Sequence, residues 1–77
     1  MNKALEYIVK NIVKNPKDVT VKQEDIDNIT RLQVTANKED MGTIIGKQGR
    51  VIKAIKELIK VKAIKENKYF DIQVSEK

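Results

Sequence analysis

The chain contains no cysteine, no histidine and no tryptophan among its 77 residues. Without Cys and His it lacks a thiol nucleophile, an imidazole base, a disulfide framework and the side chains on which zinc and similar metals depend. Carboxylates, hydroxyls and amines remain, but the acids form no paired arrangement suited to acid-base catalysis. We therefore expect a protein that is not an enzyme and that holds no metal and no cofactor.

Long apolar runs are absent as well, since the uninterrupted stretches are two or three residues long. A helix needs about 20 apolar residues to span a bilayer, and the amino terminus lacks the apolar block of a signal peptide. We expect no insertion into a membrane and a cytoplasmic location. A chain of this length buries only about 60% of the surface that its unfolded form exposes, so residues 1–77 should form one small domain.

Positive charge is concentrated in the second half of the chain. The formal net charge is +5, from 16 basic and 11 acidic residues, yet the first 28 residues carry five of each sign. The excess predicts a polyanionic partner, although lysines on a helix also serve as a solvated surface. Most of the basic residues are Lys, a flexible point charge, which favours contact with a nucleic-acid backbone over reading of base edges. Between residues 47 and 65 a single acid, Glu57, accompanies seven basic residues: Lys47, Arg50, Lys53, Lys56, Lys60, Lys62 and Lys65.

Apolar spacing and turn residues predict the first three elements. Apolar residues three and four apart predict a helix over residues 2–14, which Pro16 ends. Alternation predicts strands at Val19–Val21 and Ile29–Ala36, antiparallel to each other. The acid-rich segment Gln23–Asn28 is predicted to be the loop between them.

Three further elements follow. Asn37 and the acids after it are typical of a helix start, and this short helix must end at Gly46. A long helix begins near Arg50, and Tyr69–Val74 alternates as a last strand with Phe70, Ile72 and Val74 facing inward. The predicted fold is therefore α+β, in the order α-β-β-α-α-β.

The turn between the two predicted helices carries the most informative motif. Gly46-Lys47-Gln48-Gly49 places two glycines three residues apart, so its backbone can approach another molecule closely. The free amide groups at the start of the next helix favour a phosphate, and Lys47 and Arg50 add full positive charges. Two glycines at this spacing also occur by chance in structural turns, so the motif needs its context.

That context resembles the KH domain. The turn lies in Ile44-Ile45-Gly46-Lys47-Gln48-Gly49-Arg50-Val51-Ile52, between helices, and in KH domains a Gly-x-x-Gly loop clamps the backbone of about four nucleotides. The element order is similar to the type II KH topology over nearly the whole chain, and the size is similar to that of the small bacterial KhpA-type RNA-binding proteins. The resemblance implies a mixed three-stranded sheet with helices packed on one face.

The same resemblance implies a groove for single-stranded RNA, lined by the short helix, the loop, the start of the long helix and the second strand. Apolar residues should form the groove wall and the core beneath it: Ile44, Ile45, Ile52 and Ile55. Residues of the second strand are candidates for contact with base edges: Leu32, Gln33 and Val34. The expected RNA-binding set is Leu32, Gln33, Val34, Ile45, Gly46, Lys47, Gln48, Gly49, Arg50 and Lys53.

The acidic loop fits this interpretation poorly. By the resemblance it corresponds to the variable loop beside the groove, where Glu24, Asp25 and Asp27 would repel phosphate. The loop either points away from the groove or limits the affinity.

The long helix presents a second apolar stripe, formed by Ala54, Leu58 and Val61. KhpA-type proteins are associated with self-pairing and with a larger KH-containing partner of the KhpB (Jag) type, and we expect that contact on this stripe. The alternative is that the stripe packs against the first helix of the same chain.

Two functions therefore compete. The first is a non-catalytic RNA-binding protein that acts, by the resemblance, in post-transcriptional regulation or as an RNA chaperone, as a dimer or with a KhpB-type partner. The second is a protein-interaction adaptor that uses the Leu58 stripe and binds little RNA. Single-stranded DNA stays open as a ligand, because the preference for the 2′-hydroxyl depends on details of the groove.

Overall fold

A computed structural model describes all 77 residues of the chain. Three helices and three strands follow in the predicted order: α1 (Asn2–Ile12), β1 (Thr20–Ile26), β2 (Ile29–Ala36), α2 (Met41–Ile45), α3 (Arg50–Lys65) and β3 (Tyr69–Glu76). Single turns of 3-10 helix occupy Pro16–Asp18, Lys38–Asp40 and Lys47–Gly49. The α+β prediction and the element order are confirmed. None of the three α-helices has the length and apolar character required to cross a membrane.

The three strands form one mixed sheet in the order β1-β2-β3. β1 pairs with β2 antiparallel, and β2 pairs with β3 parallel. The parallel pair is possible because α2 and α3 form the crossover between β2 and β3. β2 therefore lies in the centre, hydrogen-bonded on both sides, while β1 and β3 each leave one edge free.

The helices cover a single face of this sheet, as predicted. Alternate residues of β2 are buried, and the residues between them face away from the helices. Burying apolar area on one side of the sheet supplies most of the stabilisation of so small a domain. The core joins all three helices to the sheet: Leu5 and Val9 from α1, Ile44 from α2, Ile55 and Ile59 from α3, Leu32, Val34 and Ala36 from β2, Ile72 from β3, and Val19 before β1.

β1 is longer than the sequence predicts, since it extends through Ile26 and includes most of the expected acidic loop. Pairing of Ile26 with Ile29 leaves only Asp27 and Asn28 as the turn. Asp27 adopts a φ of 54°, which Asp tolerates better than most residues in such a tight hairpin. The loop prediction for Gln23–Asn28 is therefore wrong at all but its last two residues.

A buried carboxylate fixes the segment between α1 and the start of α2. Asp40 accepts hydrogen bonds from the backbone N–H groups of Lys14 and Asn15, each at 3.0 Å, and from the Asn15 side chain at 3.1 Å. The Lys14 bond is the main reason that the pKa of Asp40 lies below its ordinary value of 3.8. Because the folded pKa is the lower one, this stabilisation is complete above the ordinary value and is lost as the pH falls through the folded pKa.

Candidate nucleic-acid interface

The turn between α2 and α3 has a backbone that few sequences can adopt. Gly46 ends α2 with φ 76° and ψ 171°, Gln48 has φ 59° and ψ 26°, and Gly49 has φ 74° and ψ 16°. The N–H of Gly46 donates to Gly42, and the N–H of Gly49 donates to the Gly46 carbonyl at 3.1 Å. The chain thus passes from α2 to α3 within four residues, and the predicted end of the short helix at Gly46 is confirmed.

Gln48 is the unusual residue of this turn. It holds a left-handed conformation without being glycine, which costs roughly 1–2 kcal/mol. Its side chain and that of Lys47 are both exposed, so neither contributes to the core. Both variable positions of the turn therefore present their side chains to solvent.

Positive charge around the turn is not neutralised within the protein. No acid lies in the first turn of α3, and no side chain caps its amino-terminal amides. The three ion pairs of the chain lie elsewhere: Lys10 with Glu6, Lys68 with Asp25, and Lys77 with Asp18. Lys47, Arg50 and Lys53 are therefore free cations beside a helix start, an arrangement that favours a phosphate.

The apolar residues beside the turn divide into two groups. Ile44 and Ile55 are buried in the core, whereas Ile45 is exposed and Ile52 is half-buried. Only the second pair can touch a ligand. The expected groove wall is therefore reduced to Ile45 and Ile52, with Ile44 and Ile55 beneath it.

The second strand does not offer the contacts expected of it. The side chains of Leu32 and Val34 are buried in the core and cannot meet a base edge, and Gln33 points away from the helices on the opposite face of the sheet. The backbone of β2 is also occupied by pairing on both sides. The prediction that these three residues contact bases is corrected for this reason.

β3, and not β2, is the strand that can line a groove beside the Gly46–Gly49 turn. It packs against both α2 and α3, and its outer edge has no partner strand. Phe70 and Val74 face the helices and are only partly buried, and Val74 lies farther than Phe70 from the hairpin end of the sheet. The sequence pattern carries no signal for this placement, because a β1-β2 hairpin has two outer edges on which a third strand can pair.

The acidic residues lie at the other end of the sheet. Three residues separate the end of α3 from β3, and the first residue of β3, Tyr69, bonds to Asn28 in the hairpin turn. Since α3 has 16 residues, its start and the Gly46–Gly49 turn lie about 24 Å from that hairpin. Of the two alternatives stated for the acidic segment, the structure therefore favours the one in which it points away from the turn, and its correspondence to a loop beside the groove is wrong.

One of these acids is held in place by hydrogen bonds. Asp25 accepts from the Thr30 hydroxyl and from Gln23, and Lys68 lies 3.4 Å away. The Thr30 bond is the main cause that lowers the pKa of Asp25. The negative charge at this end of the sheet is thus stabilised within the fold.

The stripe on α3 is exposed. Leu58 is 58% and Val61 is 55% exposed, and Ala54 is exposed beside them. The buried side of α3 is formed instead by Ile55, Ile59 and Ala63. The alternative in which α1 covers the stripe is therefore wrong.

A mixed three-stranded sheet with helices on one face, and a Gly-x-x-Gly turn between two of those helices, defines a KH fold of the type II topology. The model of the KhpA/KhpB KH-domain family matches residues 2–74, and the chain belongs to that family. This membership agrees with the expectation that the chain is not an enzyme.

Relatives in several bacteria are similar over nearly their whole length. The chain is 40% identical over 74 residues to the RNA-binding protein KhpA of Clostridium perfringens, which is 96% of this chain and 99% of that protein. It is 37% identical over 76 residues to the RNA-binding protein KhpA of Listeria monocytogenes, covering 99% and 100% of the two chains. The RNA-binding protein KhpA of Chlamydia trachomatis is 40% identical over 76 residues, or 99% of this chain and 97% of its own.

Proposed function

We propose that this chain is an RNA-binding protein that holds short single-stranded RNA through a backbone clamp at Gly46–Gly49. The observation that carries the proposal is the exposed, left-handed turn with three unpaired cations at an uncapped helix start. The names of the bacterial relatives, all RNA-binding proteins, support the choice of ligand.

In this mechanism the phosphates lie against the turn and the bases lie over the apolar surface. Lys47, Arg50 and Lys53 neutralise phosphate charge, and the amides at the start of α3 donate to phosphate oxygens. Ile45 and Ile52 contact the base faces. The free edge of β3 is left to pair with base edges through its backbone N–H and C=O groups, the role first expected of β2.

The salt dependence of binding tests the clamp. Three or four neutralised phosphates on a single strand predict a log-log slope of about −2 to −3 for affinity against salt concentration. Fluorescence anisotropy with a labelled pool of short single-stranded RNAs at several salt concentrations measures this slope. The same strands as DNA serve as the comparison for the 2′-hydroxyl, and a slope near zero would contradict the clamp.

A second candidate contact is the α3 stripe, and its exposure is the observation that favours it. We propose that Ala54, Leu58 and Val61 pair with a second copy or with a larger KH-containing partner of the KhpB (Jag) type. Apolar side chains at i, i+4 and i+7 suit packing against another helix. RNA binding through such a pair would be the basis of a post-transcriptional role.

Leu58→Glu tests the stripe. A charge on this face should leave a folded monomer, since burying an unpaired carboxylate in a helix interface costs several kcal/mol. We expect at least a tenfold weaker association in sedimentation equilibrium, with unchanged circular dichroism. Glu57→Gln, at an adjacent position of the same helix, is the control and should leave any association intact. If the Leu58→Glu protein still dimerises, the stripe is not the interface.

A further inference from the structure

The open face of the sheet carries an apolar row at its hairpin end. The strand register aligns Ile26 of β1 with Ile29 of β2, and Ile29 with Tyr69 of β3. All three side chains point away from the helices, and Tyr69 is 75% exposed. Three neighbouring strands thus place large apolar side chains side by side in water, although the other rows of this face are polar.

A fourth apolar side chain joins this row around the end of the sheet. Ile64, near the end of α3, is 67% exposed and lines a shallow depression together with Tyr69 and the turn at Asn67 and Lys68. We name these four residues, Ile26, Ile29, Ile64 and Tyr69, the hairpin-end patch. It is about 24 Å from the Gly46–Gly49 turn and mainly on the other face of the sheet, so the proposed RNA contact does not explain it.

The charge around the hairpin-end patch is negative on a chain whose net charge is +5. The next row of the open face places Glu24 and Asp71 on either side of Arg31. Asp27 stands in the hairpin turn, and Asp25 lies near Lys68 behind it. Residues 24–31 and 64–71 together carry five acids and three bases.

This charge selects among possible occupants. RNA would be repelled by an acidic rim. A second copy could pack its open sheet face on this one, with β1 of one copy opposite β3 of the other. Glu24 of one copy would then face Asp71 of the other, a like-charge contact that destabilises the pair. A protein segment with positive charges and apolar side chains complements this surface, because its charges can pair with the acidic residues and its apolar side chains can pack on the apolar row.

We infer that the hairpin-end patch is a docking surface for a cationic segment of a partner protein, anchored by apolar side chains on Ile26, Ile29, Ile64 and Tyr69. A contiguous apolar patch with a charged rim is typical of such a surface. The inference does not depend on RNA binding, because the two surfaces lie at opposite ends of α3. Both ligands can therefore be held at once.

Three labelled ten-residue peptides provide the probe: one alternating Lys and Leu, one alternating Glu and Leu, and one alternating Lys and Ser. Anisotropy should detect binding of the Lys-Leu peptide, with at least tenfold weaker binding of the other two. The double variant Ile29→Thr/Tyr69→Thr should bind the Lys-Leu peptide at least tenfold more weakly than the unchanged protein does. The double variant Gln33→Thr/Gln73→Thr changes the same two strands on the same face and is the control. Its affinity for the Lys-Leu peptide should stay within about twofold of that of the unchanged protein.

Changes in backbone amide chemical shifts on addition of the Lys-Leu peptide locate the contact. Shifts confined to residues 24–31 and 64–71 support the inference, whereas shifts centred on Leu58 or Lys47 overturn it. Equal binding of the Glu-Leu peptide would also overturn it, since the acidic rim would then play no part. So would a dimer that Ile29→Thr/Tyr69→Thr abolishes, because the occupant would then be a second copy.

Discussion

Replacing Lys47 and Gln48 together with Asp is expected to reduce affinity for single-stranded RNA by at least about a hundredfold and to leave the fold intact. The double variant changes the charge of the turn by three units, and each unit beside a phosphate is worth about 1 kcal/mol at a hydrated surface. Both side chains are exposed, so the core is not touched. Asp also tolerates the left-handed conformation of residue 48 better than Gln does. Anisotropy with the RNA pool at low salt measures the loss.

A matched control is available because the dipeptide Lys-Gln occurs twice in the chain. Lys22 and Gln23 are also exposed, but they lie in β1, away from the turn between α2 and α3. Lys22→Asp/Gln23→Asp makes the same change in net charge, so it separates a local clamp from diffuse attraction to a cationic protein. The control should lose much less affinity, and thermal melts confirm that both variants are folded. Equal losses in the two variants would contradict the clamp and would favour the adaptor function.

The sequence predicts most of the fold because one-sided burial leaves a strong pattern. β2 is located at its observed ends, since four alternate residues from Thr30 to Ala36 are all buried. β1 is predicted at three residues instead of seven, because this edge strand is exposed along most of its length and its acids are typical of a loop. Pairing with β2 and the hydrogen bond from Thr30 to Asp25 outweigh that local tendency.

The candidate site is predictable in part for a similar reason. The spacing of Gly46 and Gly49 marks a tight turn, and the sequence therefore locates the turn correctly. Which strand lies beside the turn depends on sheet order, which periodicity does not encode. Alternation places Leu32 and Val34 on the apolar face of β2, and that face is buried. The pattern itself therefore indicates that these side chains do not contact bases.

Exposed apolar side chains are the other feature that local patterns miss. Ile26 and Tyr69 belong to different predicted elements, and only the register of three strands aligns them in one row with Ile29. An apolar residue on the outer face of one strand is unremarkable by itself. The hairpin-end patch becomes visible only when the sheet is assembled.

Gly46→Ala is expected to destabilise the fold by about 3 kcal/mol or more. The φ and ψ of Gly46, 76° and 171°, lie in a region that is almost exclusive to glycine. A Cβ at this position would overlap with the Val51 Cγ2 atom and would lie 2.8 Å from the Val51 backbone nitrogen. The backbone contact cannot be relieved by a rotamer change, so α3 would have to shift. For a domain of this size the loss corresponds to a fall in Tm of about 12 °C or more.

The other two glycines of the chain supply the controls. At Gly49, with φ 74°, an added Cβ meets nothing nearer than Ile52 Cγ2 at 4.0 Å, so Gly49→Ala carries only the left-handed strain of about 1–2 kcal/mol. At Gly42 nothing lies within 4 Å and φ is ordinary for a helix, so Gly42→Ala should be neutral or stabilise by up to about 1 kcal/mol. Thermal and urea unfolding of the three variants should therefore rank Gly46→Ala far below Gly49→Ala, and Gly42→Ala highest. A Gly46→Ala protein as stable as Gly49→Ala would mean that α3 can move away from the turn, and the turn would then not be the rigid clamp that RNA binding requires.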